Sequence, residues 1–240
     1  PGPGSDYQDA AFFHRPSKTL LVCDAVFAVT DDPPPILTSD PEYKRALLFH
    51  ARDAAADLPE DTLENRRKGW RRIILYANYF IPGGAVADLG PKPVAEALGQ
   101  LGYPLGWGGW LPFQWPDPEA ERREFEQFSA GGKPNILPII QIILARDRDA
   151  LFGWLDKVTQ WDFNTVVPAH LDAPLEIGPE AFAQTFAFAF GEGRNEVRSC
   201  DEDVQFLRKA EEGPLNFSVY KSPLGTLRGK TGECGLRGGA

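Results

Sequence analysis

Phe12-Phe13-His14-Arg15-Pro16-Ser17-Lys18-Thr19-Leu20-Leu21-Val22-Cys23-Asp24 is the stretch on which the fold class turns. Ala10 to Phe13 and Lys18 to Phe27 are expected as two strands joined by a tight turn at Arg15-Pro16-Ser17. Leu20-Leu21-Val22 and Ala25-Val26-Phe27 are nearly continuous apolar runs, the pattern of a strand buried on both faces. Thr165-Val166-Val167-Pro168-Ala169-His170 repeats the form. In each case an apolar run ends on a residue able to bind a ligand. Open α/β sheets hold ligands at the carboxyl ends of their strands.

Working outward, helices alternate with these short runs, which favours α/β or α+β layering. Asp31-Asp32-Pro33-Pro34-Pro35 interrupts the first strand region, because proline has no N–H for a ladder. Asp61 to Phe80 is expected as a helix. Asp61 and Glu64 are spaced as a capping box, Glu64 and Lys68 as an i,i+4 pair, and Leu63, Trp70, Ile74 and Ala77 as one apolar stripe. Ile81-Pro82-Gly83-Gly84 should end it. Leu89 to Pro116, rich in Gly, Pro and Trp, reads as an irregular insertion with a short helix near Val94 to Leu98. Asp117-Pro118 opens a further helix with Phe125 and Phe128 inward. Asp147 to Trp161 forms another, with Leu151, Trp154, Leu155 and Val158 on one face, and the strand Phe163 to Val167 follows. Gly178-Pro179 starts a helix carrying Phe182, Phe186 and Phe190. A last amphipathic helix is expected over Asp201 to Glu212. The organisation read from this pattern is a disordered entry over 1–9, one domain over 10–212 in which 30–160 is largely insertion and helices, and a flexible tail over 213–240.

Three histidines exist, His14, His50 and His170. His14 and His170 follow apolar strands, and Asp24 ends one. If the strands are neighbours in one sheet, the three side chains converge at its edge. Two imidazoles and a carboxylate can hold a divalent metal with open positions. The competing reading gives the histidines backbone hydrogen bonds at strand ends and makes Asp24 a turn cap. His50, within Leu47 to Asp53, is expected to be structural or solvent-facing. Asp172 is either an orienter of the His170 ring or a turn former.

Asp24-Ala25-Val26-Phe27 after an apolar strand resembles the Gly-Asp-x-x-Phe strand end of the metallo-β-lactamase superfamily, with Cys23 in place of Gly. His14-Arg15-Pro16-Ser17 resembles its preceding His-containing turn. Val167-Pro168-Ala169-His170 is similar to its late Val-Pro-Gly-His segment, with Ala169 in place of Gly. More closely, Phe12 to Phe27, Glu64 to Trp70 and Val167 to Pro174 resemble a domain family of unknown function, found mainly in photosynthetic and some bacterial lineages and allied to the metallo-β-lactamase fold. This likeness implies a partial metallo-β-lactamase-like fold, its C-terminal portion, with a helical Trp/Gly/Pro-rich insertion. It implies metal ligands at His14, Asp24 and His170, with zinc or iron as the metal or none at all. The superfamily's His-x-His-x-Asp-His loop is absent from these residues, and so lies upstream of Pro1 or was lost. Two functions follow from the likeness. One is a binding or structural role around an incomplete metal site. The other is hydrolysis of an ester, amide or thioester by metal-bound hydroxide.

Composition limits the remaining classes. At 240 residues with 42% hydrophobic content, the chain can bury a sizeable core. Its net charge of −9 argues against a nucleic-acid partner and leaves a small molecule or a protein. No apolar stretch approaches the ~20 residues of a membrane span, so a soluble protein is expected, while its compartment stays open, with plastid and cytoplasm as the candidates. The chain has no Met and opens Pro1-Gly2-Pro3-Gly4, which reads as a fragment or a processed product. Cys23, Cys200 and Cys234 are too scattered for a disulfide framework. Asp24 beside Cys23 disfavours its thiolate, so no nucleophile is assigned there. Arg66, Arg67, Lys68, Arg71 and Arg72 make either a solvated helix face or a dock for an acidic partner. Trp107, Trp110 and Trp115, with Phe113 and Tyr103, either cover a sheet edge or line a ligand pocket.

Overall fold

The computed structural model describes residues 9–54, 57–79, 82–87, 90, 91, 95, 113–145, 147–190, 207 and 209. The expected entry segment before Asp9, the helix near Val94, Trp107 and Trp110, the tail, and all but two residues of the 201–212 helix lie outside them. The chain is a mixed α/β protein. It divides into two compact units, one of residues 1–29 and 129–240, the other of residues 30–128.

The first unit is built on a three-stranded sheet of β1 (Phe12–His14), β2 (Thr19–Leu21) and, far along the chain, Thr165–Val167, in the order edge, centre, edge. β1 and β2 form an antiparallel hairpin in which Phe12 faces Leu21 and His14 faces Thr19. A 3₁₀ turn over Arg15–Ser17 closes it, with Lys18 in the left-handed region at φ 50°. The expected hairpin is thus present, but its second strand stops at Leu21 and does not reach Phe27. Phe27 instead exchanges both backbone hydrogen bonds with Asn135. Leu20, Val22, Val26 and Val166 are buried together with Ile136, Leu151, Leu155, Val158, Phe163, Phe182 and Phe186. Phe182 sits within aromatic contact of Trp154, Phe163 and Phe186.

In the second unit, Pro35–Ser39 is α1, Pro41–His50 is α2 and Leu63–Tyr79 is α3. Val86–Ala87 (β3) pairs antiparallel with Phe113–Gln114 (β4), and Ala120–Ser129 is α4. Back in the first unit come Pro138–Leu144 (α5), Arg148–Val158 (α6), the strand Thr165–Val167 (β5) and Pro179–Gln184 (α7). Proline stands in the first turn of α1, α2, α5 and α7, where its missing N–H costs nothing and its fixed φ suits the helix. Asp40 caps α2 by accepting from the N–H groups of Glu42 and Tyr43, and Asp147 caps α6 by accepting from Ala150.

α3 departs from expectation in detail. Thr62, not Asp61, accepts a first-turn N–H, that of Asn65, while Asp61 pairs with Arg66 and Lys44. Glu64 pairs with Arg71 and Arg122, not with Lys68. Trp70 and Ile74 are buried as expected, but Leu63 and Ala77 are exposed. The buried face is rotated toward Arg71 and Arg72 because carboxylates wait there to receive them. The expected helix over Phe182 to Phe190 ends at Gln184, and a 3₁₀ turn over Ala187–Phe190 follows.

Candidate metal centre

Asp24 and His170 reach one place because β2 and β5 run parallel, Leu20 beside Val166 and Leu21 beside Val167. Pairing continues past both strand ends, where Val22 N–H donates to Val167 O at 3.1 Å and Ala169 N–H to Cys23 O at 3.3 Å. His170 Nε2 then lies 3.3 Å from Asp24 Oδ1, with the imidazole 62% exposed and the carboxylate 32% exposed. Beyond His170 the backbone turns sharply. Leu171 takes φ 66°, a conformation a branched side chain enters only against resistance. Asp172 N–H donates to Ala28 O, and Leu175 returns to bridge Val166. The loop is therefore tied down on both sides of His170.

Cys23 joins this pair. Its sulfur, a carboxylate oxygen of Asp24 and a ring nitrogen of His170 lie within 4.8 Å of one another. Neighbouring residues of an extended strand point to opposite faces. β2 has already ended, however, and residues 23–25 form a bend, so two successive side chains turn to one side. Asp9 holds the bend in place. Its carboxylate accepts from Cys23 N–H at 3.2 Å and from Asp24 N–H at 3.1 Å. The charge of Asp24, then slight burial, then the charge of Asp9 push the Cys23 thiol above its ordinary pKa. The sequence-based expectation that Asp24 suppresses the thiolate agrees with this.

His14 is not at this corner. It faces Thr19 at the turn end of the hairpin, whereas Asp24 lies past the opposite end of β2. At ~3.3 Å per residue the gap is on the order of 15 Å, far beyond ligand bonds of ~2 Å to one ion. His14 Nδ1 instead hydrogen-bonds Ser17 Oγ at 2.7 Å, and Ser17 Oγ in turn meets Thr19 Oγ1 at 2.8 Å. The structure therefore brings together two of the three expected ligands. The third member of the cluster is Cys23. The expected ligand set does not include it, although its adjacency to Asp24 is a visible signal in the sequence. Asp9 carried no signal beyond being a carboxylate.

His50 and the basic run lie in the second unit. His50 is buried, and burial first and the Arg72 charge second hold its pKa down at about 3, so the ring stays neutral. Arg66, Arg67, Lys68, Arg71 and Arg72 do not make a free basic face, because each meets a carboxylate, from Asp61, Asp32, Asp53, Glu121 and Asp53 respectively. Arg71 is buried. Burial alone would lower its pKa, yet the hydrogen bonds it donates to Glu121, Asp31 and Glu64, with the Glu121 charge, hold it raised. Trp115 donates its indole N–H to Tyr76 Oη at 3.1 Å and lies under the Arg72 guanidinium.

The parallel strand ends of a mixed α/β sheet thus gather a thiol, a carboxylate and an imidazole at one edge. Residues 2–188 match the domain of unknown function DUF4336, and the chain belongs to that family. No curated protein and no solved structure matches it. Among the described residues no helix is long and apolar enough to cross a membrane.

Proposed function

We propose that this chain is a metallo-β-lactamase-like domain that binds one divalent metal ion, zinc or iron, between Asp24 and His170, in a binding or structural role. The observation that carries this reading is the 3.3 Å approach of His170 Nε2 to Asp24 Oδ1, made by residues from strands far apart in sequence. The likeness of Asp24-Ala25-Val26-Phe27 and Val167-Pro168-Ala169-His170 to the superfamily's late metal-binding segments supports it. The donor chemistry fits, since imidazole and carboxylate both suit a borderline divalent ion. With His14 at the far end of the hairpin, the set is that of a single ion.

The exposure of both side chains favours a second reading, hydrolysis of an ester, amide or thioester, because a further group can approach the same ion. A bound ion would supply Lewis acidity and a water nucleophile at neutral pH. The chain's own part would be to fix the two donors, through the β2–β5 pairing and the Asp9 clamp, and to leave the outer side open.

Metal analysis by mass spectrometry after chelation and repletion tests the first reading. Stoichiometric zinc or iron is expected in the native chain and is lost in Asp24→Ala and His170→Ala, with the melting temperature of the stripped proteins unchanged. A native chain that retains no metal rejects the proposal. Turnover of a model ester or thioester by the loaded chain, abolished in the same variants, would select the hydrolytic reading.

A further inference from the structure

We propose that Cys23 is a third ligand of this ion and makes the site one for a thiophilic divalent metal of the zinc and cobalt kind, not for magnesium, manganese or calcium. The inference rests on the metal-site reading above and adds to it the donor that selects the metal. Three observations carry it. The Cys23 sulfur lies within 4.8 Å of ligand atoms of both Asp24 and His170. It is exposed and in no disulfide, so it is available. Its backbone is gripped from two directions, by Asp9 at its N–H and by Ala169 at its carbonyl. Ala169 is the residue before His170, so the hydrogen bond that fixes Cys23 also fixes the neighbour of the second ligand. The Asp9 carboxylate spans the N–H groups of Cys23 and Asp24 together and holds the bend that turns both side chains to one side. An ordinary extended strand would have sent one of them away.

The chemistry then discriminates among ions. A thiolate is a soft donor, and with an imidazole and one carboxylate it matches zinc-like ions. Magnesium and calcium take oxygen ligands, several of them, and gain nothing from sulfur. Three protein ligands leave one position of a tetrahedral ion open.

Cobalt(II) titration of the whole chain, stripped of metal, provides the test. The native chain is expected to show visible d–d bands of a four-coordinate ion and a near-ultraviolet sulfur-to-cobalt charge-transfer band. Cys23→Ser should lose the charge-transfer band and weaken zinc affinity by at least about ten-fold, a loss that even a residue outside the ligand shell can cause. Magnesium should bind neither protein. In the unmutated chain, zinc should protect Cys23 from iodoacetamide, mapped by peptide mass spectrometry, and a chelator should restore labelling. Cobalt bound with d–d bands but no charge-transfer band, or with a band that survives in Cys23→Ser, overturns the Cys23 assignment and leaves the metal site standing. A native chain that binds no cobalt or zinc overturns both.

Discussion

At the residue scale, the second unit shows how charge is handled away from water. Arg71 is almost fully buried, and Glu121 beside it is buried too, joined at 2.6 Å. Asp31 and Glu64 reach the same guanidinium at 3.0 Å from more exposed positions. Removing one partner of a buried pair leaves an uncompensated charge and costs ~3–5 kcal/mol. Glu121→Ala should therefore destabilise the protein by about 3 kcal/mol in urea unfolding, the low end, because Asp31 and Glu64 remain. A loss under about half a kcal/mol would place Arg71 at the surface. The sequence could not show this, since five basic residues in a row of seven look alike until their partners are known. His50 gives a pH signature. Its folded pKa is about 3 against an ordinary 6.5, so the unfolded chain binds the extra proton between those values. Stability is thus complete above pH 6.5 and falls as pH drops through 6.5 toward 3. The urea midpoint should decline between pH 7 and pH 5, before most carboxylates titrate, and His50→Gln should flatten that decline. Equal slopes in the two proteins would show that His50 takes up its proton in the folded state.

At the element scale, α2 and α3 meet at a glycine. A Cβ on Gly69 would overlap the carbonyl of Leu47, a backbone atom that cannot swing aside. Alanine improves the helical propensity of α3 by ~1 kcal/mol, but forcing two helices apart costs ~1–3 kcal/mol or more. The clash wins, and Gly69→Ala should lower the melting temperature, where a propensity argument alone predicts a rise. Trp70, one residue on, is buried and donates its indole N–H to Thr30 O at 3.0 Å. Its truncation to alanine should cost ~3–5 kcal/mol. Part of the element list is legible: α3, α4, α6, α7, the β1–β2 hairpin and β5 are expected from the sequence, whereas α1, α2, α5 and the β3–β4 pair are not. Periodicity and proline placement announce α3, α6 and the β1–β2 hairpin, since both are local properties. What stayed hidden is what each face meets. Ala77 satisfies the helical spacing but points to solvent, and Glu64 turns to Arg71 and Arg122, because facing residues decide those outcomes. The candidate site divides in the same way. That Asp24 and His170 end apolar runs is local and visible. That His14 belongs to the opposite end of the hairpin depends on register, which the residues of one strand do not state.

At the scale of the whole molecule, the governing quantity is charge. The chain carries a net −9, yet its densest basic run, Arg66 to Arg72, looks on paper like a landing place for phosphate. Within its own unit that run is matched residue by residue with Asp61, Asp32, Asp53 and Glu121. A nucleic-acid phosphate would have to displace these carboxylates while also approaching a protein of its own sign. Non-specific DNA binding draws nearly all its free energy from phosphate neutralisation and reaches Kd values of ~10⁻⁴–10⁻⁶ M in basic proteins. Here that term has no source in the run. A labelled DNA duplex should therefore show no mobility shift with the full chain up to about 100 μM, even at about 50 mM salt, where such binding is far stronger than at about 200 mM. Retardation that weakens as salt is raised would mean that the arginines leave their carboxylates for phosphate. Replacing Asp32 and Asp53 with asparagine supplies the control. It frees positive charge on Lys68 and Arg72 and leaves Arg67 with Asp31 at 3.6 Å, so any shift that appears only in that double variant would show that those two carboxylates keep the native chain off DNA.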